Sequence, residues 1–259
     1  MKGIKMKYEL SVLCPGIRAV NWKKLYDSVG KSFSGTWEII FVGPYPLPDE
    51  LKDQENIQYL EDWGTPIRCQ QRGLIEARGG YISWAADDGE YLPGAIDIGF
   101  SKLDGEKSLI MGKYYEGNND GDMPMQGDDY YVLSKHDATK CIYVPKHYYM
   151  LNVGIVPTQL LKDVGGWDCR FEVCPMAYND LAVRLQNYGV KFIIQQEMMF
   201  KCSHLPGHAG DHGPIHDGQI YHDQPLFRNI YDRPKGNGRT TIALNNWEDV
   251  PKKWWRRFK

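Results

Sequence analysis

The sequence predicts a single α/β domain, a mainly parallel central sheet with helices on both faces, followed by a C-terminal extension. Two observations carry that expectation. Over residues 8–85, β-forming runs and helical patterns follow one another in the order strand, helix, strand, strand, helix, strand, the succession that gives parallel pairing. The strand runs are also apolar along most of their length rather than on alternate residues, as in strands covered on both sides. With 259 residues and an apolar fraction of 42%, the chain has the material for one large core.

Residues 8–14 read as the first strand, broken by Pro15-Gly16. A helix follows over 21–32, with Asn21 as N-cap and Trp22, Leu25, Tyr26 and Val29 on one face. Residues 37–42 form a second strand stopped by Gly43-Pro44, and 57–60 a short third. A helix over 66–77 leads through Gly79-Gly80 into the fourth strand, 81–85. The loops after the first, second and fourth strands then share one rim, where open α/β sheets bind their ligands. Further on, the pattern gives a helix at 93–102, a strand at 108–115, and a Gly-, Asn- and Asp-rich loop at 116–129 whose spacing does not match a calcium-binding EF-hand. Then come a strand at 151–156, a helix at 158–164 closed by Gly165-Gly166, a helix at 180–188 with Gly189 at C′, and a strand at 190–194.

Composition narrows the function classes. A formal charge of −2 provides no global field for nucleic acid, and no specific nucleic-acid partner is expected. Six cysteines without regular spacing read as free thiols of a reducing compartment. No apolar run is long enough to span a membrane, and the opening Met-Lys-Gly-Ile-Lys-Met-Lys lacks the apolar h-region of a signal peptide. A cytoplasmic enzyme is the expectation.

The chemistry concentrates at Tyr81-Ile82-Ser83-Trp84-Ala85-Ala86-Asp87-Asp88-Gly89-Glu90-Tyr91. An apolar strand delivers two adjacent carboxylates to the ligand-binding rim, where they suit a hard cation or a sugar hydroxyl; a solvated turn is the alternative. A second concentration is the histidine series His204, His208, His212 and His216, just after Cys202. The prolines and glycines among them (Pro206, Gly207, Gly210, Gly213, Pro214) predict a loop rather than a helix, in which the histidines bind a metal, form a zinc site with Cys202, or serve as ordinary loop residues. The segment Pro251-Lys252-Lys253-Trp254-Trp255-Arg256-Arg257-Phe258-Lys259 mixes cations with aromatics. It suits a peripheral membrane contact, stacking on single-stranded nucleic acid, or docking of its tryptophans on the domain.

Downstream of the paired carboxylates lies Gly165-Gly166-Trp167-Asp168-x-Arg170-Phe171, then Asn179-Asp180-Leu181-x-x-Arg184-Leu185-x-x-x-Gly189. Together with the Asp87-Asp88 segment, these motifs resemble the GT-A fold (Rossmann-like) nucleotide-sugar glycosyltransferases, in particular glycosyltransferase family 2, over residues 8–205 or so. The resemblance implies a metal-dependent, inverting glycosyltransferase with a UDP-, GDP- or dTDP-sugar donor. Its acceptor would be a hydroxyl on a glycan, a lipid-linked sugar or a small molecule. The donor would meet Pro15, Gly16, Ile17, Arg18, Gly43, Asp62, Arg68, Asp87 and Asp88. Mn²⁺ or Mg²⁺ would be held by Asp88 and by His204 after the last core strand, Asp180 would be the general base, and Trp167, Asp168, His208 and His212 would face the acceptor. Residues 1–105 would be the donor half, 106–205 the acceptor and catalytic half, and 206–259 the extension. The chain departs from the family pattern in two places. Gly43-Pro44 stands where many members end the second strand in an acid, and Ala177-Tyr178-Asn179-Asp180-Leu181 where many read Glu-Asp-x-Asp-Leu. In that register the base position falls on Tyr178, and Asp180 is either a base in a shifted register or the N-cap of its helix. A nucleotidyltransferase, a pyrophosphatase-like enzyme and a sugar-binding module without catalysis are the competing readings.

Overall fold

Strand β1 (Tyr8–Pro15) is apolar on both sides, and the rest of the chain is built outward from it. Its side chains alternate between two cores: Leu10, Val12 and Cys14 point to one, Leu13 to the other. β2 (Trp37–Gly43) repeats the division, with Ile39 and Phe41 opposite Ile40 and Val42. A strand buried on both faces needs cover on both, and helices supply it. Helix α1 (Trp22–Ser32) seals the first core through Trp22, Leu25 and Val29. Helix α2 (Pro66–Glu76) seals the second through Ile67 and Leu74.

The computed structural model describes residues 7–117, 149–203, 209–231 and 239–259. Its eight-stranded sheet runs β3-β2-β1-β4-β7-β6-β8-β5, where β3 is Ile57–Glu61, β4 Gly79–Trp84, β5 Gly89–Tyr91, β6 Ser108–Gly117, β7 Gly154–Pro157 and β8 Lys191–Ser203. β1 pairs in parallel with β2 and β4, β2 with β3, and β6 with β8. β7 joins the halves antiparallel to β4 and β6, and β5 is an antiparallel edge on β8. The remaining helices are α3 (Ala95–Ser101), α4 (Thr158–Asp163), α5 (Cys174–Asn187), α6 (Ala209–Gly218) and α7 (Gln224–Tyr231). This is the predicted architecture, an α/β sheet flanked by helices in a Rossmann-like GT-A arrangement.

Several elements differ from expectation. Asn21 stands at the N-cap of α1 without making a side-chain capping bond; α2, by contrast, is capped by Thr65, whose hydroxyl accepts the Arg68 N–H at 3.1 Å. β5 was not foreseen, since three residues are too few to show a period. Helix α5 begins at Cys174, with Pro175 in its first turn, so Asp180 lies mid-helix and is not an N-cap. The stretch expected to be an irregular histidine loop is helical from 209 to 231, with Pro214 inside α6 and one π-helical turn, Gln219–Asp223, before α7. Tertiary contacts overcome the local propensities there: Asp223 accepts the backbone N–H of Glu172 at 2.9 Å and of Val173 at 2.8 Å, and Phe227 and Tyr231 enter the core. His204, His208 and most of the acidic 116–129 stretch fall outside the described residues.

Gly165 and Gly166 have φ of +87° and +69°, which favours glycine. Space demands it too: a Cβ on Gly165 would lie 2.2 Å from the Ile242 carbonyl oxygen, and one on Gly166 2.2 Å from Gln71 Oε1. Gln71 ties this turn down. Its amide donates to the carbonyls of Gly165 (2.9 Å) and Leu244 (2.8 Å) and accepts the Trp167 N–H at 2.8 Å.

Candidate functional site

Side chains from the ends of β1, β2 and β4 converge on a cavity of about 450 Å³. Pro15, Gly16, Ile17 and Arg18 line it after β1, Gly43 and Pro44 after β2, and Asp87 and Asp88 after β4. The predicted rim is therefore present. Gly43 is needed because the chain passes so close after β1 that a Cβ would sit 1.9 Å from the Gly16 carbonyl oxygen. The opposite wall comes from Trp84, Asn152, Cys174 and Tyr178. Trp84 is fixed there by an indole N–H bond to the Asn152 carbonyl at 2.8 Å.

The paired carboxylates have different surroundings. Asp87 is buried and organises the loop after β1: Oδ2 accepts the Ile17 and Arg18 backbone N–H groups, each at 2.6 Å, and Oδ1 accepts Arg18 NH1 at 2.6 Å. Burial pushes the Asp87 carboxyl above the ordinary aspartate value, against the pull of Arg18 and the two N–H groups. Asp88 accepts the Cys202 thiol at 3.0 Å on Oδ1, and its Oδ2 lies 3.6 Å from Arg18 NH1 and 3.9 Å from His212 Nε2. His212 comes from α6 and also lines the cavity. It is thus placed beside Asp88.

Asp88 and His212 are a carboxylate–imidazole pair facing each other on the cavity. Ligands bonded at about 2.1 Å lie roughly 3.0 Å apart when adjacent around an octahedral cation and roughly 4.2 Å apart when opposite; the 3.9 Å between Asp88 Oδ2 and His212 Nε2 matches neither spacing, so joint ligation would require a small side-chain shift. Among the described residues no group of three or more His, Cys, Asp or Glu side chains is arranged to hold a metal. The remaining positions would fall to ligand oxygens and water, as Mg²⁺ commonly arranges.

Other predicted site residues are engaged by partners within the protein. Asp62 lines the cavity, but its carboxylate is taken by Arg68 Nε at 3.1 Å, by Arg72 NH1 at 2.7 Å and by the Gly64 N–H at 2.7 Å. Arg68 is buried against Asp62 and also donates to the Trp247 carbonyl, so its role here is to hold the 62–68 turn. Asp180 is 0% exposed. Its Oδ2 accepts Arg184 Nε at 2.8 Å, and its Oδ1 accepts the Tyr231 hydroxyl at 2.6 Å and Arg239 NH1 at 3.2 Å. Arg184 in turn donates to the carbonyls of Val164 (2.8 Å) and Gly166 (2.6 Å). Asp168 joins the same network through Arg239 NH2 at 2.7 Å and Arg170 NH2 at 2.6 Å. Trp167 is buried against Trp84, with ring centroids 5.5 Å apart. None of Trp167, Asp168 and Asp180 is among the lining residues, whereas Tyr178 is. Tyr178 donates its hydroxyl to Gln70 Oε1 at 2.9 Å, and burial raises it well above the ordinary tyrosine value.

The network predicts a pH effect. Although burial opposes ionisation, Arg170 and Arg239 hold the Asp168 carboxyl down to about 2, from an ordinary value of 3.8. A depressed folded-state value means stabilisation that is complete above the unfolded value and lost as pH falls towards the folded one. Chemical denaturation of the native chain is expected to show about 2 kcal/mol more loss between pH 5 and pH 2 than Asp168→Asn; equal losses would remove Asp168 from the network's energetics.

Residues 239–259 supply a wall not foreseen in detail. Trp254, Arg257 and Phe258 line the cavity, while Trp255 is 60% exposed. The docking reading of this segment therefore describes Trp254. No helix of the described residues is long and apolar enough to cross a membrane.

Neither a protein-family model nor a curated protein matches the chain. Among solved structures, residues 1–349 of S. aureus TarS align with a TM-score of 0.57 at 13% identity, over 75% of this chain and 60% of that one. The chain shares the fold of TarS. The TarS complex with UDP aligns at 0.55 and 13% identity over 76% of this chain and 61% of that one. The TarS complex with UDP-GlcNAc aligns at 0.52 and 13%, over 77% and 59%. The chain thus spans about three-fifths of the 1–349 TarS structures, and at this identity the likeness to TarS is one of fold.

Of the cavity lining, Asn152, Cys174, Trp254, Arg257 and Phe258 went unmarked in the sequence as site residues; the last three lie in the cation–aromatic mixture of residues 251–259.

Proposed function

We propose that this chain is a metal-dependent, inverting glycosyltransferase that moves a sugar from a nucleoside-diphosphate sugar to a hydroxyl acceptor. The observation that carries the reading is the division of labour at the rim: Asp87 fixes the loop after β1, and Asp88 meets His212 across the same cavity. The likeness of fold to TarS, which has been captured with UDP and with UDP-GlcNAc, supports a nucleotide-sugar donor.

In this reading the nucleoside lies against Pro15, Gly16, Gly43 and Pro44, where the chain offers backbone and apolar surface. Asp88 and His212 would hold Mn²⁺ or Mg²⁺. That ion, when bound, neutralises the charge developing on the departing diphosphate. Arg18, placed by Asp87, adds positive charge beside Asp88. Trp84 and Tyr178 wall off the sugar end and exclude water from the anomeric carbon. Asp180 takes no part in proton transfer, because both its oxygens are engaged within the core.

A thermal-shift panel of UDP, GDP and dTDP, each with and without Mn²⁺, tests the reading. Binding to the native state raises the melting temperature by mass action, by roughly 5 °C for a chain of this size at a hundredfold excess over Kd. One diphosphate that stabilises only with the metal is expected. No shift with any of them sinks the proposal. Product analysis sets it apart from the competing chemistry: sugar transfer releases nucleoside diphosphate, while a nucleotidyltransferase or pyrophosphatase-like enzyme releases pyrophosphate or monophosphate.

A further inference from the structure

Residues 242–258 run as a strap across the nucleotide side of the fold. Ile242 N–H bonds to the Val164 carbonyl at 3.2 Å, and the Leu244 carbonyl accepts Gln71 at 2.8 Å. The Trp247 ring lies under two guanidiniums, Arg68 at 5.0 Å and Arg72 at 5.4 Å. The strap then meets the turn after β3: Lys253 bridges to Trp63, and Trp254 N–H bonds to the Trp63 carbonyl at 2.7 Å. Beyond that point it coils once, with the N–H groups of Arg257 (3.2 Å) and Phe258 (2.9 Å) both bonding to the Trp254 carbonyl.

That turn sorts the side chains. Positions i, i+3 and i+4 of a helical turn share a face, and here Trp254, Arg257 and Phe258 all line the cavity. The intervening residues face elsewhere: Trp255 is largely exposed, and Arg256 pairs with Glu172. Phe258 is fixed by an edge contact with Trp63, ring centroids 5.1 Å apart. The Arg257 guanidinium stacks over Trp254, 5.5 Å from the ring centroid. Stacking uses the face of a guanidinium, while its N–H groups lie along the edge, in the geometry that recognises phosphate oxygens.

Charge gives this arginine a task. A nucleoside diphosphate carries several negative charges, and the lining already contains Asp62, Asp87 and Asp88. Among the described residues, the arginines on that lining are Arg18, which pairs with Asp87, and Arg257. We propose that Arg257, carried into the cleft by the strap, is a phosphate-binding residue for the nucleoside diphosphate. The inference rests on the donor reading above.

Calorimetric titration of UDP, GDP and dTDP with Mn²⁺, each beside its own nucleoside, tests it in the native chain, Arg257→Ala, Arg257→Lys and Trp255→Ala. Arg257→Ala is expected to weaken diphosphate binding about tenfold and to leave nucleoside binding unchanged. Arg257→Lys, which keeps the charge without the fork, recovers part of the loss and serves alone should the alanine variant not fold. Trp255→Ala binds as the native chain does. Equal diphosphate binding by the native chain and both Arg257 variants overturns this inference and leaves the donor reading standing. Parallel loss of nucleoside and diphosphate binding also overturns it, because the strap would then act by packing alone. A native chain that binds none of the diphosphates removes both.

Discussion

Asp88→Asn is expected to lower sugar transfer at least about a hundredfold and to abolish the metal-dependent rise in melting temperature. The amide keeps the shape of the side chain, and its oxygen still accepts the Cys202 thiol, which Asp88 takes at 3.0 Å. What disappears is the negative charge facing His212 at 3.9 Å and Arg18 at 3.6 Å. The effect should therefore appear in metal and diphosphate binding rather than in folding. Titration of Mn²⁺ in the presence of UDP separates the two, and the free chain should melt where the native one does. A variant that transfers sugar at the native rate with the native metal requirement would place the cation elsewhere.

Asp180→Ala is expected to behave in the opposite way, losing about 3–5 kcal/mol of stability and keeping the transfer rate of whatever fraction folds. The Arg184 side chain is fully buried, and Asp180 is its carboxylate partner at 2.8 Å. Removing that carboxylate also deprives Tyr231 and Arg239 of their shared acceptor. A buried cation left with two carbonyls is poorly compensated. Urea unfolding monitored by tryptophan fluorescence reads the loss. Should the variant be as stable as the native chain and lack transfer, Asp180 belongs to the chemistry after all.

The sheet and the rim were legible because both follow from local pattern. Continuous apolar runs mark strands buried on two sides, and Pro15-Gly16, Gly43-Pro44 and Asp87-Asp88 mark where those strands stop. All three pairs line the cavity. What local pattern misjudged depends on partners distant in sequence. Residues 209–218 are poor helix formers by composition, yet the helical stretch holds because Asp223 clamps the backbone at Glu172 and Val173. Asp180 carries the residue type of a catalytic base, but its surroundings are set by Arg184, Tyr231 and Arg239, from two further parts of the chain. Of the residues of that motif, Tyr178 is the one that lines the cavity. The strap residues Trp254, Arg257 and Phe258 read as a basic-aromatic tail because nothing near them in sequence shows that Trp63 receives them.

The buried network has a consequence for inheritance. Gly165, Gly166, Asp168, Asp180 and Arg184 cooperate in one knot of φ-restricted turns and compensated charges. If the proposed sugar transfer is the activity, a descendant that abandoned it would still need that knot in order to fold, so selection would preserve the downstream motif in an inactive chain as faithfully as in an active one. The positions free to drift once catalysis is relaxed are those on the cavity: Asp88, His212 and Arg257. Among related chains, the retention of those three, rather than of the glycine–aspartate–arginine pattern, would mark the working enzymes.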